Sequence, residues 1–319
     1  MVTKLFSLCF FFLLLAHGPA SAEKIKMSFS ALTGSQSPMW IAKEQGFFKK
    51  HGLDVDLVYI VSTRVGAQAM LAGEVKAGLV DLGNIVRVNL AGGDLVLVAV
   101  TRNKPNFFLV SLKEITDIQQ LRGKRVGIGQ LGGPPDYTSR MVLEKNGLKP
   151  DRDVRIVQML VGQGGRLAAL QAGAIEAIVI NPPLTLVAKK LGFNLLLDYS
   201  DVLPPFVVTG LATTRKYIEE NPKAVENSVR AIVDATNYIL SNEDGTTKVI
   251  SRYMKLTDQT ILKDYYRQVA LKEISKSVFP DVEAVKFFLA QERVPPGKVK
   301  PEDFIDTRFL DRLKKEGYF

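Results

Sequence analysis

The sequence predicts an α/β protein of two similar lobes, each built on an open, mostly parallel sheet and joined by two chain crossings. Three observations predict it. Short apolar runs alternate with helix-like patterns through the first two thirds of the chain, the order that βαβ units require. The same unit then recurs about 100 residues later: Leu71-Ala72-Gly73-Glu74-Val75-Lys76-Ala77 is answered by Gln171-Ala172-Gly173-Ala174-Ile175-Glu176-Ala177, and Gly52-Leu53 by Gly147-Leu148. A period that long is no solenoid repeat. The last third is mostly helical, with Val225, Val229, Ile232, Val233 and Ile239 near helical spacing, which suits a tail packed on lobe one.

The first 22 residues stand apart. Lys4 precedes an apolar run, Leu5 to Ala16, and Ala20-Ser21-Ala22 stands before Glu23. A positive start, a short apolar core and a small-x-small site make a secretory signal peptide, cleaved after Ala22, with the periplasm as destination. The run is shorter than the ~20 residues a membrane span needs. Cys9 lies inside that run, not at its end, which speaks against a lipoprotein.

Lobe one opens with a strand at Ile25–Ser30, a polar loop at Ala31–Ser37 and a helix from Pro38 to Glu44. Ser37 is placed to accept from the helix's first N–H groups, and Pro38 suits a position whose N–H has no partner. Gly52 takes the left-handed conformation that ends a helix, Leu53 adds the apolar contact, and a strand follows to Ile60. Ser62-Thr63-Arg64 turns into a helix, Val65–Ala72, closed by Gly73. A strand at Ala77–Leu82 ends at Gly83-Asn84, a helix runs from Ile85 to Ala91, and Leu95–Thr101 reads as a strand buried on both faces. Phe107–Val110 is a further short strand.

Lobe two repeats the scheme. Strand Arg125–Gly129 leads through Gln130-Leu131-Gly132-Gly133-Pro134-Pro135 to a helix, Asp136–Lys145. Strand Val154–Gln158 leads through Gly162-Gln163-Gly164-Gly165 to a helix at Arg166–Ala172, and strand Ala177–Ile180 ends at Asn181-Pro182-Pro183. Leu195–Leu197 is another strand, and Phe206–Thr213 reads as the return crossing. Helices follow from Asn221-Pro222 to about Leu240, from Asp258 (capped by Thr257) to about Leu271, from Asp281 to Gln291 and from Asp306 to Lys315.

Composition excludes several chemistries. Without the leader the chain has no cysteine and one histidine, His51. Disulfides, thiol nucleophiles and Cys- or His-rich metal sites are absent, and no metal or cofactor is expected. His51 sits in a Lys-Lys-His-Gly helix end, where a cation complements the dipole. The net charge of +9 becomes +8 once Lys4, the leader's only Lys, Arg, Asp or Glu, is removed. The surplus is scattered and lacks the basic stripe with interleaved aromatics that nucleic acid requires. Gly129-x-x-Gly132-Gly133 has the wrong spacing for a dinucleotide fingerprint.

The loops after the strands supply the candidate site. Helix starts at Ser37, at Ser62-Thr63 and at Gly133 would turn free N–H groups and partial positive charge toward a cleft, favouring an anion. Asn84 and Asn181 read as matching positions, able to face each other across one cavity or simply to hold their loops. Asp136 either binds ligand or steadies its own helix start; Arg64, Arg87 and Arg140 are counter-ions or solvated; Trp40 reads as packing; Tyr137 could stack on a planar ligand.

Taken together, the chain resembles the substrate-binding proteins of the nitrate/sulfonate/taurine class of ABC importers, with the thiamine-precursor-binding, NMT1-like variant of the type II periplasmic binding fold. The resemblance rests on Pro38-Met39-Trp40-Ile41-Ala42-Lys43-Glu44-Gln45-Gly46-Phe47-Phe48, Leu71-Ala72-Gly73-Glu74-Val75, Leu121-Arg122-Gly123-Lys124-Arg125-Val126-Gly127 and Glu219-Glu220-Asn221-Pro222. It implies two Rossmann-like lobes that close on a ligand: lobe one from 23–109 and 209–319, lobe two from 110–208. It also implies ligand contacts from Ser35, Gln36, Ser37, Gly83, Asn84, Gln130, Gly132, Gly133, Asp136, Asn181 and Thr209. The implied partners are a small-molecule solute, an ABC permease and its ATPase, with the protein itself a monomer. Gly132-Gly133-Pro134-Pro135 and Asn181-Pro182-Pro183 depart from the family's usual residues, so no relative's ligand transfers directly. The solute stays open among nitrate-like oxyanions, sulfonates, aromatic carboxylates and pyrimidines. Two rival readings are an enzyme on the same scaffold, related to thiamine-pyrimidine synthesis, and a sensory module without a transporter.

Overall fold

The computed structural model describes residues 22–203 and 209–319; the leader through Ser21 and residues 204–208, including Phe206 to Val208 of the expected crossing, lie outside the described residues. The chain forms two five-stranded sheets of one design.

Lobe one contains β1 (Glu23–Phe29), α1 (Ser37–Glu44), α2 (Phe47–Lys50), β2 (Leu53–Tyr59), α3 (Thr63–Leu71), β3 (Ala77–Val80), α4 (Leu82–Leu90) and β4 (Leu95–Arg102). Lobe two contains β5 (Phe108–Ser111), β6 (Arg125–Ile128), α5 (Pro134–Lys145), β7 (Arg155–Gln158), α6 (Gly162–Gln171), β8 (Ala177–Ile180), α7 (Leu184–Lys190), β9 (Asn194–Asp198) and α8 (Tyr199–Val202). The chain then returns to lobe one as β10 (Thr209–Thr214), α9 (Arg215–Glu220), α10 (Pro222–Ser241), α11 (Glu243–Met254), α12 (Gln259–Tyr265), α13 (Leu271–Glu273), α14 (Val282–Gln291) and α15 (Arg308–Lys315).

The strand orders are β2-β1-β3-β10-β4 and β7-β6-β8-β5-β9. In each sheet one strand runs against the other four, and in each it is the strand that has just arrived from the other lobe: β10 between β3 and β4, β5 between β8 and β9. Thr209–Thr214 is therefore a fully buried strand at the heart of lobe one, where the sequence reading has a crossing. Its small residues allow this. A Cβ at Gly210 would stand 2.2 Å from the Ala99 carbonyl, so only glycine lets the neighbouring strand come so close. The paired register also carries β5 into the second sheet from Phe108 onward.

β4 is buried at every position, although it ends its sheet. The C-terminal segment covers that edge, with the N–H groups of Ser275 and Asp306 donating to the carbonyls of Thr101 and Leu97. A covered edge offers no template for strand addition. The longest helix, α10, buries Val225, Val229, Ile232, Val233 and Ile239 against the face of sheet one that also carries α1. Each such side chain contributes about 1.5–3 kcal/mol, so Ile232→Ala would cost about 2–5 kcal/mol. Helices α7, α8, α9 and α11 go beyond the sequence reading, the last beginning where Asn242 accepts from the Gly245 N–H. At Asp258 the cap is the aspartate itself, accepting from Thr260 and Ile261, and not Thr257.

Candidate functional site

Loops at the carboxyl ends of strands in both sheets converge on one cavity of about 740 Å³, a size typical of small-molecule sites. Lobe one contributes Ser30, Thr33, Ser35 and Gln36 after β1, and Tyr59, Ser62 and Thr63 around the end of β2. Lobe two contributes Gln130 and Gly133 after β6, the run from Leu160 to Arg166 after β7, and Asn181 after β8. Arg102, Phe107 and Thr209 line it where the chain crosses between sheets, and Met254-Lys255-Leu256 line it from the end of α11. Among the described residues the lining carries three cations, Arg102, Arg166 and Lys255, and no carboxylate.

Arg166 is the buried charge of this site. It is 5% exposed, and its Nε and Nη1 donate only long bonds, 3.3 and 3.4 Å, to the carbonyls of Val179 and Met159. No carboxylate pairs with it among the described residues. Burial pulls its pKa down to about 10, with the Tyr59 hydroxyl acting in the opposite sense, so the guanidinium stays charged at neutral pH. Tyr59 belongs to lobe one. Its ring stacks on Phe29 at 5.3 Å, and its pKa is raised by burial against the pull of Arg166.

The start of α6 is also open. Gly162 has φ +68° and no side chain, and nothing caps the helix. The first N–H groups of a helix have no partner inside it. Gln163 turns aside to Asn181, donating to its Oδ1 at 2.8 Å and accepting from its N–H at 2.6 Å. Asn181 in turn donates to the carbonyl and side-chain oxygens of Asn106, at 3.0 and 2.6 Å, in the first crossing. Arg102 bonds Asn106 Oδ1 and reaches Thr209 Oγ1 at 3.4 Å. The two crossings are thus tied by one buried polar chain.

Of the eleven expected contacts, Ser35, Gln36, Gln130, Gly133, Asn181 and Thr209 line the cavity. Ser37, Gly83, Asn84, Gly132 and Asp136 do not. Ser37 is not the cap of α1; it is the helix's first residue, fully buried, and its hydroxyl has no hydrogen-bond partner among the described residues. Asn84 is held by Asp81. Asp81 Oδ1 accepts from the Asn84 N–H at 2.9 Å, and Oδ2 accepts from Asn84 Nδ2 at 2.6 Å and from the Thr63 hydroxyl at 2.7 Å. Gly83 lies under Phe288, which a Cβ would meet at 3.0 Å. Asp136 Oδ2 accepts from the Gly132 N–H at 2.7 Å, and Oδ1 from Arg140 Nε at 2.8 Å, so both oxygens are occupied. The start of α5 is poor in donors, because Pro134 and Pro135 have no N–H and the N–H groups of Asp136 and Tyr137 bond the Gly133 carbonyl. Strand register also shows that Asn181, just past β8, corresponds to Asp81, just past β3, and not to Asn84.

The candidate counter-ions have other engagements or none. Arg87 pairs with Glu292 at 2.7 Å and bonds the Gly132 carbonyl across the lobes, Arg140 pairs with Asp136 and Asp151, and Arg64 is exposed. Tyr137 packs edge-on against Phe288. Trp40 is fully buried and stacks on Tyr253 at 4.6 Å, a packing role. His51 bonds Asp234 Oδ2 at 2.9 Å beside the Tyr318 hydroxyl, well outside the cavity lining. Sequence reasoning passed over Arg166 and Tyr59. A signal existed for Arg166: at the 100-residue offset its counterpart in lobe one is Gly66.

The profile of the NMT1-like family matches residues 18–253. The chain belongs to the NMT1-like family. A Brucella abortus protein, named as a binding protein with no ligand stated, is 26% identical over 219 residues, 68% of this chain and 67% of its own. Among solved structures, the periplasmic nitrate-binding protein NrtA of Synechocystis superposes with a TM-score of 0.77 at 16% identity, covering 93% of this chain and 89% of that one. The alkanesulfonate-binding protein SsuA of Xanthomonas axonopodis, bound to MOPS, gives 0.73 at 17%, covering 92% and 100%. A desulfurization enzyme, DszB, gives 0.68 at 16%, covering 92% and 99%. At these identities the solved structures show the fold: two lobes of the periplasmic binding protein type.

Proposed function

We propose that the chain is a periplasmic solute-binding protein that captures a small anionic solute between its lobes and delivers it to an ABC permease and its ATPase. The observation that carries the anionic part is Arg166, a buried guanidinium on the cavity wall without a carboxylate partner, in a lining that holds Arg102 and Lys255 and no acid. A buried, unpaired charge is costly, and an anionic ligand supplies the missing partner. The uncapped start of α6 adds backbone donors beside it. The named relatives, which bind nitrate or alkanesulfonate, support the same class of solute.

An enzyme is the weaker reading. The cavity lining has no histidine, cysteine, aspartate or glutamate among the described residues, so its serines and threonines have no imidazole or carboxylate in the lining to serve as general base. One neighbour in the fold is nonetheless an enzyme, so turnover belongs in the test. A thermal-shift screen of the purified protein should include inorganic and organic anions, their neutral analogues and pyrimidines. Anions at about 100 times Kd should stabilise the protein by about 2.7 kcal/mol. Stabilisation by neutral solutes alone, or consumption of a bound solute, overturns the proposal.

A further inference from the structure

We infer that Gln163 and Asn181 are positioning residues: they hold the start of α6 against the solute cavity and commit their own polar groups to each other and to the first crossing. The inference rests on the contacts for its structure and on the solute-binding reading above for its effect on affinity.

The start of α6 has little of its own to hold it. Three of its first four residues, Gly162, Gly164 and Gly165, carry no side chain, and glycine gives up the most conformational freedom on being ordered. No side chain caps the helix. Gln163, the remaining residue, supplies the anchor. It grips Asn181 at two points: Nε2 donates to Oδ1 at 2.8 Å, and Oε1 accepts from the Asn181 N–H at 2.6 Å.

Asn181 lines the cavity, yet each of its polar groups has a partner within the protein. Besides the two bonds with Gln163, its Nδ2 donates to the Asn106 carbonyl and to Asn106 Oδ1, and its own carbonyl accepts from the Leu184 N–H at 3.1 Å. A side chain so engaged fixes its neighbours in place and leaves recognition to them. Asn106 is not among the residues lining the cavity. It belongs to the first crossing, where Arg102 at the end of β4 bonds the same Oδ1. Two amides thus tie the start of a lobe-two helix to the chain that leaves lobe one. In lobe one the corresponding tie joins Thr63, Asp81 and Asn84 and stays within the lobe. The alignment of α6 with the cavity therefore depends on the conformation of the crossing, and that of α3 does not.

The test is hydrogen exchange of the full protein. It compares the amides of Arg166, Leu167 and Ala168, which donate to first-turn carbonyls of α6, with those of Ala67, Gln68 and Ala69 in α3. The variants are Gln163→Met, which keeps length without hydrogen bonds at a half-buried site, and Asn106→Ala, which loosens Asn181 from outside the cavity. In both, the α6 amides should exchange about tenfold faster, the value of two hydrogen bonds, while the α3 amides keep their wild-type rates. Calorimetric affinity for nitrate or methanesulfonate, used as probes, should fall about tenfold in the same variants, because the helix start is then ordered only at the binding step. Unchanged α6 exchange in Gln163→Met, or an equal loosening of α3, overturns the inference. Loosened α6 with wild-type affinity also overturns it, since the pair would then serve the fold alone. If wild type binds neither probe while α6 still loosens, the anionic reading is what fails, and the positioning of α6 stands.

Discussion

Ser62 and Gly162 occupy the same turn of the two lobes, between the second strand and its helix, and both have positive φ, 115° and 68°. Ser62 caps α3 by accepting from the Val65 N–H. Gly162 has no side chain with which to cap α6. One residue on, Thr63 and Gln163 each reach the residue that follows the third strand: Thr63 donates to Asp81, Gln163 to Asn181. Three residues further, lobe one has Gly66 and lobe two has Arg166. Lobe one thus closes its donors on its own buried carboxylate. Lobe two has a neutral amide in that place and leaves a cation and a helix start unanswered. The lesson is that two copies of one scaffold can divide the labour: one becomes a self-satisfied wall, the other the electrostatic half of the site.

The strongest way to break this comparison is Arg166→Met. Ligand affinity should fall about 100-fold or more, in line with losing one partner of a buried charge pair. The ligand-free protein should melt no lower than wild type, because an unpaired buried cation has been removed. Retained affinity by calorimetry would mean that lobe two does not supply the charge.

Asp81→Ala addresses the other side. It orphans the Thr63 hydroxyl and the Asn84 donors and removes the cap of α4, so urea unfolding should show a loss of about 2–3 kcal/mol. Burial raises the pKa of Asp81, outweighing the opposing effects of Thr63, Arg87 and Asn84. The folded state therefore holds this proton more tightly than the unfolded chain. The associated stability is fully present below the usual aspartate range and is lost as pH rises through the raised folded value. Melting curves from pH 4 to pH 7 should show wild type gaining on Asp81→Asn as the pH falls. A pH-independent gap would remove the buried carboxylate from the comparison.

A finer test makes lobe two resemble lobe one. Gly162→Ser installs the hydroxyl that Ser62 carries, and a Cβ at Gly162 meets nothing within 4 Å. A cap of about 1 kcal/mol should roughly offset about 1–2 kcal/mol of left-handed strain. Stability then changes little, while affinity falls about tenfold as the new side chain competes for the open donors. The reverse change, Ser62→Gly, should cost only a few tenths of a kcal/mol and leave calorimetric affinity near wild type. A large loss of affinity there would show that lobe one also serves the ligand's charge.

Much of the scaffold was legible before any coordinates. Gly52, Gly73, Gly147 and Gly173 all have the positive φ that their helix-stop positions require, and Asp281 caps α14 by accepting from the Glu283 N–H. These are local signals, carried within a few residues. The site was less legible. Ser37 has the residue type of a cap, but the chain tightens through Gly34–Gln36 and draws it into the first turn of α1. Asn84 looked like the partner of Asn181 because the residue types match, whereas strand register puts Asp81 in that place. Phe206–Thr213 reads as a crossing because it is an apolar segment with a polar kink; from Thr209 it is a strand, paired with β3 and β4, and Gly210 allows the close approach to Ala99.

By itself the sequence determined a duplicated α/β chain with helix starts at its strand tips, because glycine stops, caps and apolar periodicity act over a few residues. Only the tertiary structure decided which of those starts would be spent internally and which would face a ligand. A donor is satisfied or left open by groups distant in the chain: Thr63 by Asp81 eighteen residues on, Arg166 by no carboxylate among the described residues, with Tyr59 of the opposite lobe near enough to act on its charge.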